Sequence, residues 1–175
     1  MKNKNENIVF GGGCFWCTEA VFSMLKGVVK VIPGYAGGFT KNPSYKEVSS
    51  GETGHAEVIK IEFNPNKIKL SKLLEVFFTS HDPTTPNRQG NDTGSQYRSI
   101  ILYSNEKQKE EIEKYIISLK NKFSNPIVTQ IQKLEEFYSA EDYHKNYFEK
   151  NPINPYCMLV INPKVKKIKK EFSDF

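Results

Sequence analysis

No stretch of this chain constrains its fold more than Ile8-Val9-Phe10-Gly11-Gly12-Gly13-Cys14-Phe15-Trp16-Cys17. A short apolar run that breaks into three glycines and then resumes predicts a strand, a tight turn and a helix, so sheet and helix must pack together. The break places Cys14 at a helix N-terminus. There the backbone N–H groups and the partial positive charge of the helix dipole favour a thiolate, making Cys14 a candidate nucleophile. Phe15 and Trp16 add a flat apolar surface beside the sulfur that suits a small soft group such as a methyl thioether, although aromatic residues between cysteines also serve as ordinary core.

The rest of the chain alternates in kind. Thr18 to Leu25 carries Ala20, Val21, Met24 and Leu25 at helical spacing before Gly27. Val28 to Ile32 reads as a strand, and residues 34–45 as a long Gly, Asn and Pro loop of the kind that is often functional. Ala56 to Phe63 alternates with Glu57, Ile59, Ile61 and Phe63 on one face. A carboxylate on an apolar face must be paired, protonated or at a pocket rim, unless it is a strand-end residue reaching water. Leu70 to Phe78 follows as a helix, residues 81–96 as a polar loop, Ser99 to Tyr103 as a strand and Asn105 as a helix cap. Val128 to Ile131 predicts a further strand, Glu141 to Glu149 a short helix, and Pro152 to Pro163 an irregular arm holding Cys157.

Strand, helix, strand, strand, helix, strand is the split βαβ pattern of a ferredoxin-like α/β (α+β) two-layer sandwich. At 175 residues, a single catalytic domain over 1–175 is expected, with its core at about 8–163 and a basic tail over 164–175. That tail carries five lysines against Glu171 and Asp174, so it accounts for three of the +5 net charges. With arginine only at 88 and 98, a solvated tail is expected rather than a nucleic-acid surface. No run approaches the roughly 20 apolar residues that cross a bilayer, and Met1 to Asn7 has no signal-like segment, so a cytoplasmic protein without membrane partners is expected.

Three cysteines in a reducing compartment point to redox chemistry or metal rather than a structural disulfide framework. Zinc on Cys14, Cys17, Cys157 and one histidine lacks the second close ligand pair that such sites use. If Cys14 is the nucleophile, Cys17 lies one helical turn on as a partner thiol, and Cys157 sits in the arm. Tyr45, Glu57, Asp92 and Tyr97 complete the polar inventory near loops. Tyr phenols can donate to an oxyanion, and a buried carboxyl kept neutral can deliver a proton. Packing is the default for Tyr143 and His144, and turn ordering for His55.

Gly12-Gly13-Cys14-Phe15-Trp16, Pro33-Gly34-Tyr35-Ala36-Gly37-Gly38, Asn42-Pro43-Ser44-Tyr45, Gly54-His55-Ala56-Glu57-Val58, Asp82-Pro83-Thr84, the run Gln89 to Ser99 and Ala140-Glu141-Asp142-Tyr143-His144 together resemble the A-type peptide methionine sulfoxide reductases. The resemblance spans about residues 8–163. It implies an oxidoreductase that returns the S epimer of methionine sulfoxide, free or in proteins, to methionine, with thioredoxin as electron source and no organic cofactor or metal. A monomer is the plain expectation. In that pattern Cys14 attacks the sulfoxide sulfur and becomes a sulfenic acid, while Phe15 and Trp16 hold the methyl group. Glu57 binds and protonates the oxygen with help from Tyr45 and Tyr97, and Asp92 supports the site. Family members often have glycine where this chain has Cys17. Cys157, in Asn154-Pro155-Tyr156-Cys157, matches the family's resolving position and is the expected first resolving thiol, with Cys17 resolving directly, relaying the disulfide or simply packing as the alternatives. A general thiol-disulfide oxidoreductase is the competing enzyme class, and it leaves Glu57, Tyr45, Asp92 and Tyr97 without roles.

Overall fold

The computed structural model describes residues 4–172. Strand β1 (Glu6–Gly11) runs into the glycine turn, and helix α1 (Phe15–Ser23) starts directly after it. Gly13 makes the turn at φ +98°, and a Cβ there would lie 2.7 Å from Cγ of Gln89, so only glycine fits undisturbed. Strand β2 (Val28–Ala36), helix α2 (Tyr45–Ser50), strand β3 (Ala56–Phe63) and helix α3 (Leu70–Ser80) follow. The two-residue strands β4 (Arg88–Gln89) and β5 (Asp92–Thr93) pair with each other, and a 3-10 turn at Ser95–Tyr97 leads into β6 (Ile100–Tyr103). Next come helix α4 (Glu106–Ser118) and strands β7 (Gln130–Lys133) and β8 (Phe137–Ser139). A 3-10 turn at Asp142–His144, helix α5 (Tyr147–Lys150), a π-helical stretch at Cys157–Ile161 and helix α6 (Asn162–Glu171) complete the order.

Six strands form one sheet in the order β7-β6-β1-β3-β2-β8, giving the mixed α/β fold that the alternating elements predict. β3 lies antiparallel between β1 and β2, and β6 lies antiparallel on the other side of β1. Side-chain alternation divides the sheet into two faces. Ile8, Phe10, Ile59, Ile61 and Phe63 pack with Val21, Phe22, Leu73 and Phe77 from the helices. Val9, Val58, Ile100 and Leu102 form the opposite cluster, beneath Leu134 and Phe137. Glu57 shares the helix-covered face by parity, which carries its carboxyl toward the start of α1.

Four segments differ from the sequence expectations. β2 extends through Ala36 rather than ending at Ile32, because Gly34-Tyr35-Ala36 pairs on one side with Val58, Glu57 and Ala56 and on the other with Ser139, Tyr138 and Phe137. A glycine in that strand hides it from propensity, yet a Cβ at Gly34 would collide with the Phe137 ring and the Tyr138 carbonyl. The predicted loop over 34–45 also ends in α2, whose capping box is legible in Ser44-Tyr45-Lys46-Glu47: Ser44 Oγ accepts from Glu47 N at 3.3 Å, and Ser44 N donates to Glu47 at 2.7 Å. In place of one helix over 141–149 stand a 3-10 turn and a single α-turn, separated by Asn146 at φ 54°.

The fourth difference is the C-terminus. Cys157 is not in an irregular arm but begins the π-helical stretch, fully buried, and α6 is not a solvated tail but an amphipathic helix. Val165, Ile168 and Phe172, spaced three and four apart, face the core between the lysines; residues 173–175 lie outside the described residues. Ile168→Ala is therefore expected to cost about 2–5 kcal/mol in urea unfolding, where a solvated tail would lose less than about 0.5 kcal/mol.

Candidate active site

Cys14 is the N-cap residue of α1, half-buried, and its carbonyl accepts from Cys17 N at 3.1 Å in the first turn. The next N–H of the helix, that of Phe15, does not point to water. It donates to Oε2 of Glu57 at 3.1 Å, so a carboxyl from β3 closes the helix end beneath the thiol. Glu57 is 2% exposed and stands opposite Tyr35 in the sheet. Burial pushes its carboxyl up to about 8, with the charges of Asp92 and Cys17 adding to the rise and the Phe15 N–H opposing it. At neutral pH the acid is protonated, with Oε2 engaged as acceptor and Oε1 left as the oxygen suited to carry the proton.

Tyr45, the first residue of α2, and Tyr97, in the 3-10 turn before β6, flank this carboxyl. Both phenols are raised above their ordinary value, first by burial and next by Glu57, so they remain neutral donors. Glu141 anchors the tyrosine side: Tyr35 Oη donates to its Oε1 at 3.1 Å, and Tyr45 N donates to its Oε2 at 3.2 Å.

The aromatic wall forms where Phe15 and Trp16 meet the C-terminal segment. Phe15 is fully buried and packs against His144 at 4.9 Å, Tyr35 at 5.8 Å and Tyr45 at 6.5 Å between ring centroids. Trp16, less buried, stacks on Tyr147 at 3.7 Å and 4° and meets the edge of Tyr156 at 6.0 Å.

All three cysteines are free thiols. Cys17 is buried, and its sulfur lies 3.8 Å from Tyr156 Oη, which itself donates to Asp92 at 2.7 Å. The Cys14 and Cys17 thiols, one helical turn apart, shift each other's acidity in opposite directions. Cys17 is lowered to about 7, chiefly by Cys14 and further by Lys164 and Tyr156. Cys14 is raised well above the ordinary thiol value by burial, by Cys17 and by Glu57. The helix N-terminus alone predicts a thiolate at Cys14; burial first, then the second thiol and the Glu57 carboxyl, reverse that preference in the resting site. Cys157, fully buried, is raised by burial and by Cys17. A cavity of about 360 Å³ opens beside the pair, lined by Cys14, Cys17, Gln89, Asp92, Tyr156 and Lys164 among others.

The three cysteines, Phe15, Trp16, Tyr45, Glu57, Asp92 and Tyr97 thus fall within one neighbourhood, drawn from α1, α2, β3, β5, the turn before β6 and the C-terminal segment, whereas His55 and His81 pack elsewhere. Sequence reasoning missed Tyr156, Glu141 and Tyr35, and treated His144 as packing. Tyr156 neighbours Cys157 in the sequence but acts on Cys17 and Asp92, a contact that no local pattern encodes. Among the described residues no group of three His, Cys, Asp or Glu is arranged to hold a metal ion, and no helix is long and apolar enough to cross a membrane.

A vicinal thiol pair opening a helix beside a protonated acid is the equipment of a cysteine-dependent oxidoreductase. The comparisons narrow that class. The profile of the peptide methionine sulfoxide reductase family matches residues 6–175, and the chain is 55% identical over 171 residues to the peptide methionine sulfoxide reductase MsrA of Trichodesmium erythraeum, covering 97% of each. The chain belongs to the peptide methionine sulfoxide reductase family, of the MsrA kind. Among solved structures, reduced Mxr1 from Saccharomyces cerevisiae superposes with a TM-score of 0.84 at 38% identity, over 90% of this chain and 91% of that one. The same yeast protein solved in complex with Trx2 matches at a TM-score of 0.61 and 28% identity, over 84% and 87%.

The Glu57 environment has a measurable signature. Its folded pKa of about 8 lies above the unfolded value of 4.5, so the native state binds more protons between those limits. The stabilisation is complete below the unfolded value and is lost as pH rises through about 8. Relative to Glu57→Gln, the wild-type unfolding free energy is expected to fall between about pH 5 and about pH 9. Parallel pH profiles for the two proteins would show that the carboxyl is not held neutral.

Proposed function

We propose that the protein reduces methionine S-sulfoxide, protein-bound and free, to methionine at Cys14, and that an intramolecular disulfide recycled by thioredoxin restores the thiol. The observation that carries this reading is the buried Glu57 carboxyl held at the start of α1 by the Phe15 N–H, where burial pushes its pKa up to about 8. Oxygen leaves sulfur only as hydroxide or water, so an acid that remains neutral at physiological pH is what the step requires, worth about 10²–10⁴-fold in rate.

As the Cys14 sulfur bonds to the sulfoxide sulfur, its proton passes to the neighbouring Cys17. The sulfoxide oxygen takes the proton of Glu57, with the Tyr45 and Tyr97 phenols as additional donors. The S–O bond breaks as the protonated oxygen leaves as hydroxide, giving a sulfonium bonded to Cys14; hydroxide then adds to the Cys14 sulfur as that S–S bond breaks, so the thioether departs and Cys14 is left as a sulfenic acid. Cys14 is thereby oxidised and the substrate sulfur reduced by two electrons. Phe15 and Trp16 hold the methyl group. With methyl and oxygen both fixed, the handedness of the sulfur facing Cys14 is fixed too, which selects one epimer.

The resolving step favours Cys17 first. It shares a helical turn and a backbone hydrogen bond with Cys14, whereas Cys157 is buried at the start of the π-helical stretch, its thiol raised by burial and by the charge of Cys17. The Cys17 thiol attacks the sulfenic sulfur and water leaves. Cys157 then exchanges onto Cys17, freeing Cys14 and giving a Cys17–Cys157 disulfide for the external dithiol. Asp92 holds Tyr156 against Cys17 for this stage. Thioredoxin as that dithiol is supported by the yeast relative solved with Trx2. The chemistry needs no metal or organic cofactor, and we propose that the enzyme acts as a monomer in the cytoplasm.

Racemic methionine sulfoxide in a peptide, with dithiothreitol, is expected to be consumed to one half, with only the S epimer lost; Cys14→Ser abolishes turnover and Glu57→Gln slows it by about 10²–10⁴-fold. Turnover of neither epimer by the wild type would refute the reading.

Thiol order is tested separately by mass spectrometry after one equivalent of substrate without reductant. Cys157→Ser is expected to accumulate Cys14–Cys17, and Cys17→Ser a persistent Cys14 sulfenic acid that dimedone traps. A Cys14–Cys157 disulfide forming at the wild-type rate in Cys17→Ser would place Cys157 first.

A further inference from the structure

His144 is fully buried, yet only one of its ring nitrogens has a partner. Nδ1 accepts from Trp16 Nε1 at 3.0 Å; an indole N–H only donates, so Nδ1 carries no proton and the neutral ring holds its proton on Nε2. Nε2 has no hydrogen-bond partner and lies 4.0 Å from Oε2 of Glu141. Around this ring converge Phe15 at 4.9 Å, Tyr45 at 4.6 Å and Tyr143 at 4.0 Å. Burying a histidine among aromatics with one nitrogen unpaired costs stability that a leucine or phenylalanine of similar bulk would avoid. Core packing therefore does not account for the residue type.

What the imidazole supplies that an apolar ring lacks is a hydrogen-bond acceptor for Trp16. The Tyr147 stack fixes the plane of the indole, but a face-to-face stack permits sliding and in-plane rotation. The bond from Nε1 to His144 removes that freedom. Glu141, which already accepts from Tyr35 and Tyr45, stands on the Nε2 side of the ring, where its charge favours the proton that the Trp16 bond places there.

We propose that His144 is a positioning residue that locks the in-plane orientation of Trp16, and through it sets how sharply the enzyme distinguishes a methyl from a larger group on the substrate sulfur. The proposal rests on the methyl-pocket reading of Phe15 and Trp16. A pocket wall free to slide admits one more methylene, and a fixed wall discriminates against it by about 10–200-fold.

The test uses three variants in the full chain. His144→Asn keeps a polar acceptor near the Nδ1 position, His144→Gln moves it toward Nε2, and His144→Leu removes it. Two readouts are taken. The first is the ratio of kcat/KM for methyl over ethyl sulfoxide, otherwise identical in structure. The second is the emission of Trp16, the one tryptophan in the sequence, which reports the indole environment whether or not the enzyme turns over. His144→Leu and His144→Gln are expected to lower the methyl preference about tenfold, mainly through KM for the methyl substrate, and to shift the Trp16 emission; His144→Asn should retain most of both properties. An unchanged methyl preference in His144→Leu, with emission shifted and the fold intact by far-ultraviolet circular dichroism, would overturn the proposal. So would equal loss in all three variants, which marks a packing role. If the wild type reduces neither sulfoxide, the proposed function fails; the emission series still decides whether His144 holds the indole.

Discussion

The Phe15 N–H to Glu57 hydrogen bond is the contact on which the site depends. It joins the first turn of α1 to the middle of the sheet, so the thiol, its acid and the aromatic wall are held in one frame. A helix start leaves N–H groups without partners, and a strand carboxyl on an apolar face lacks water; each supplies what the other is missing. The bond does not convert Glu57 to a carboxylate, because burial outweighs one N–H donor. The acid is thereby oriented without being ionised, as proton delivery needs.

Glu141 plays the complementary part at the other end of the pocket. Its carboxylate collects Tyr35, the backbone of Tyr45 and the side of His144, tying β2, α2 and the C-terminal 3-10 turn around the aromatic wall. The two carboxyls have opposite surroundings. Glu141 is partly exposed and surrounded by donors, whereas Glu57 has one donor and almost no water. One residue type thus sits at a donor-rich rim in one place and in a dry interior in the other.

Much of this was legible in the chain. The glycine break before Cys14 marked the strand-to-helix turn, and the parity of Glu57 with Ile59, Ile61 and Phe63 marked a buried carboxyl needing a partner. Other features were present but overlooked, such as the capping box at Ser44 and Glu47 and the spacing of Val165, Ile168 and Phe172 among lysines. Gly34-Tyr35-Ala36 resembles a loop by propensity because its glycine is required by a neighbouring strand, and that neighbour lies about a hundred residues further along the chain.

The sequence by itself determined the α/β class and marked Cys14, Phe15, Trp16 and Glu57 as the candidates for chemistry, because these depend on local periodicity and residue type. Tertiary structure decided which thiol of the Cys14–Cys17 pair is more acidic, since that depends first on how deeply each is buried and on their mutual influence, and then on Glu57, Lys164 and Tyr156 arriving from distant segments. It also decided that Cys157 is buried and helical, and that His144 faces the indole. Electrostatic fields and hydrogen bonds act through space, and the separations that set them are fixed only once the chain has packed.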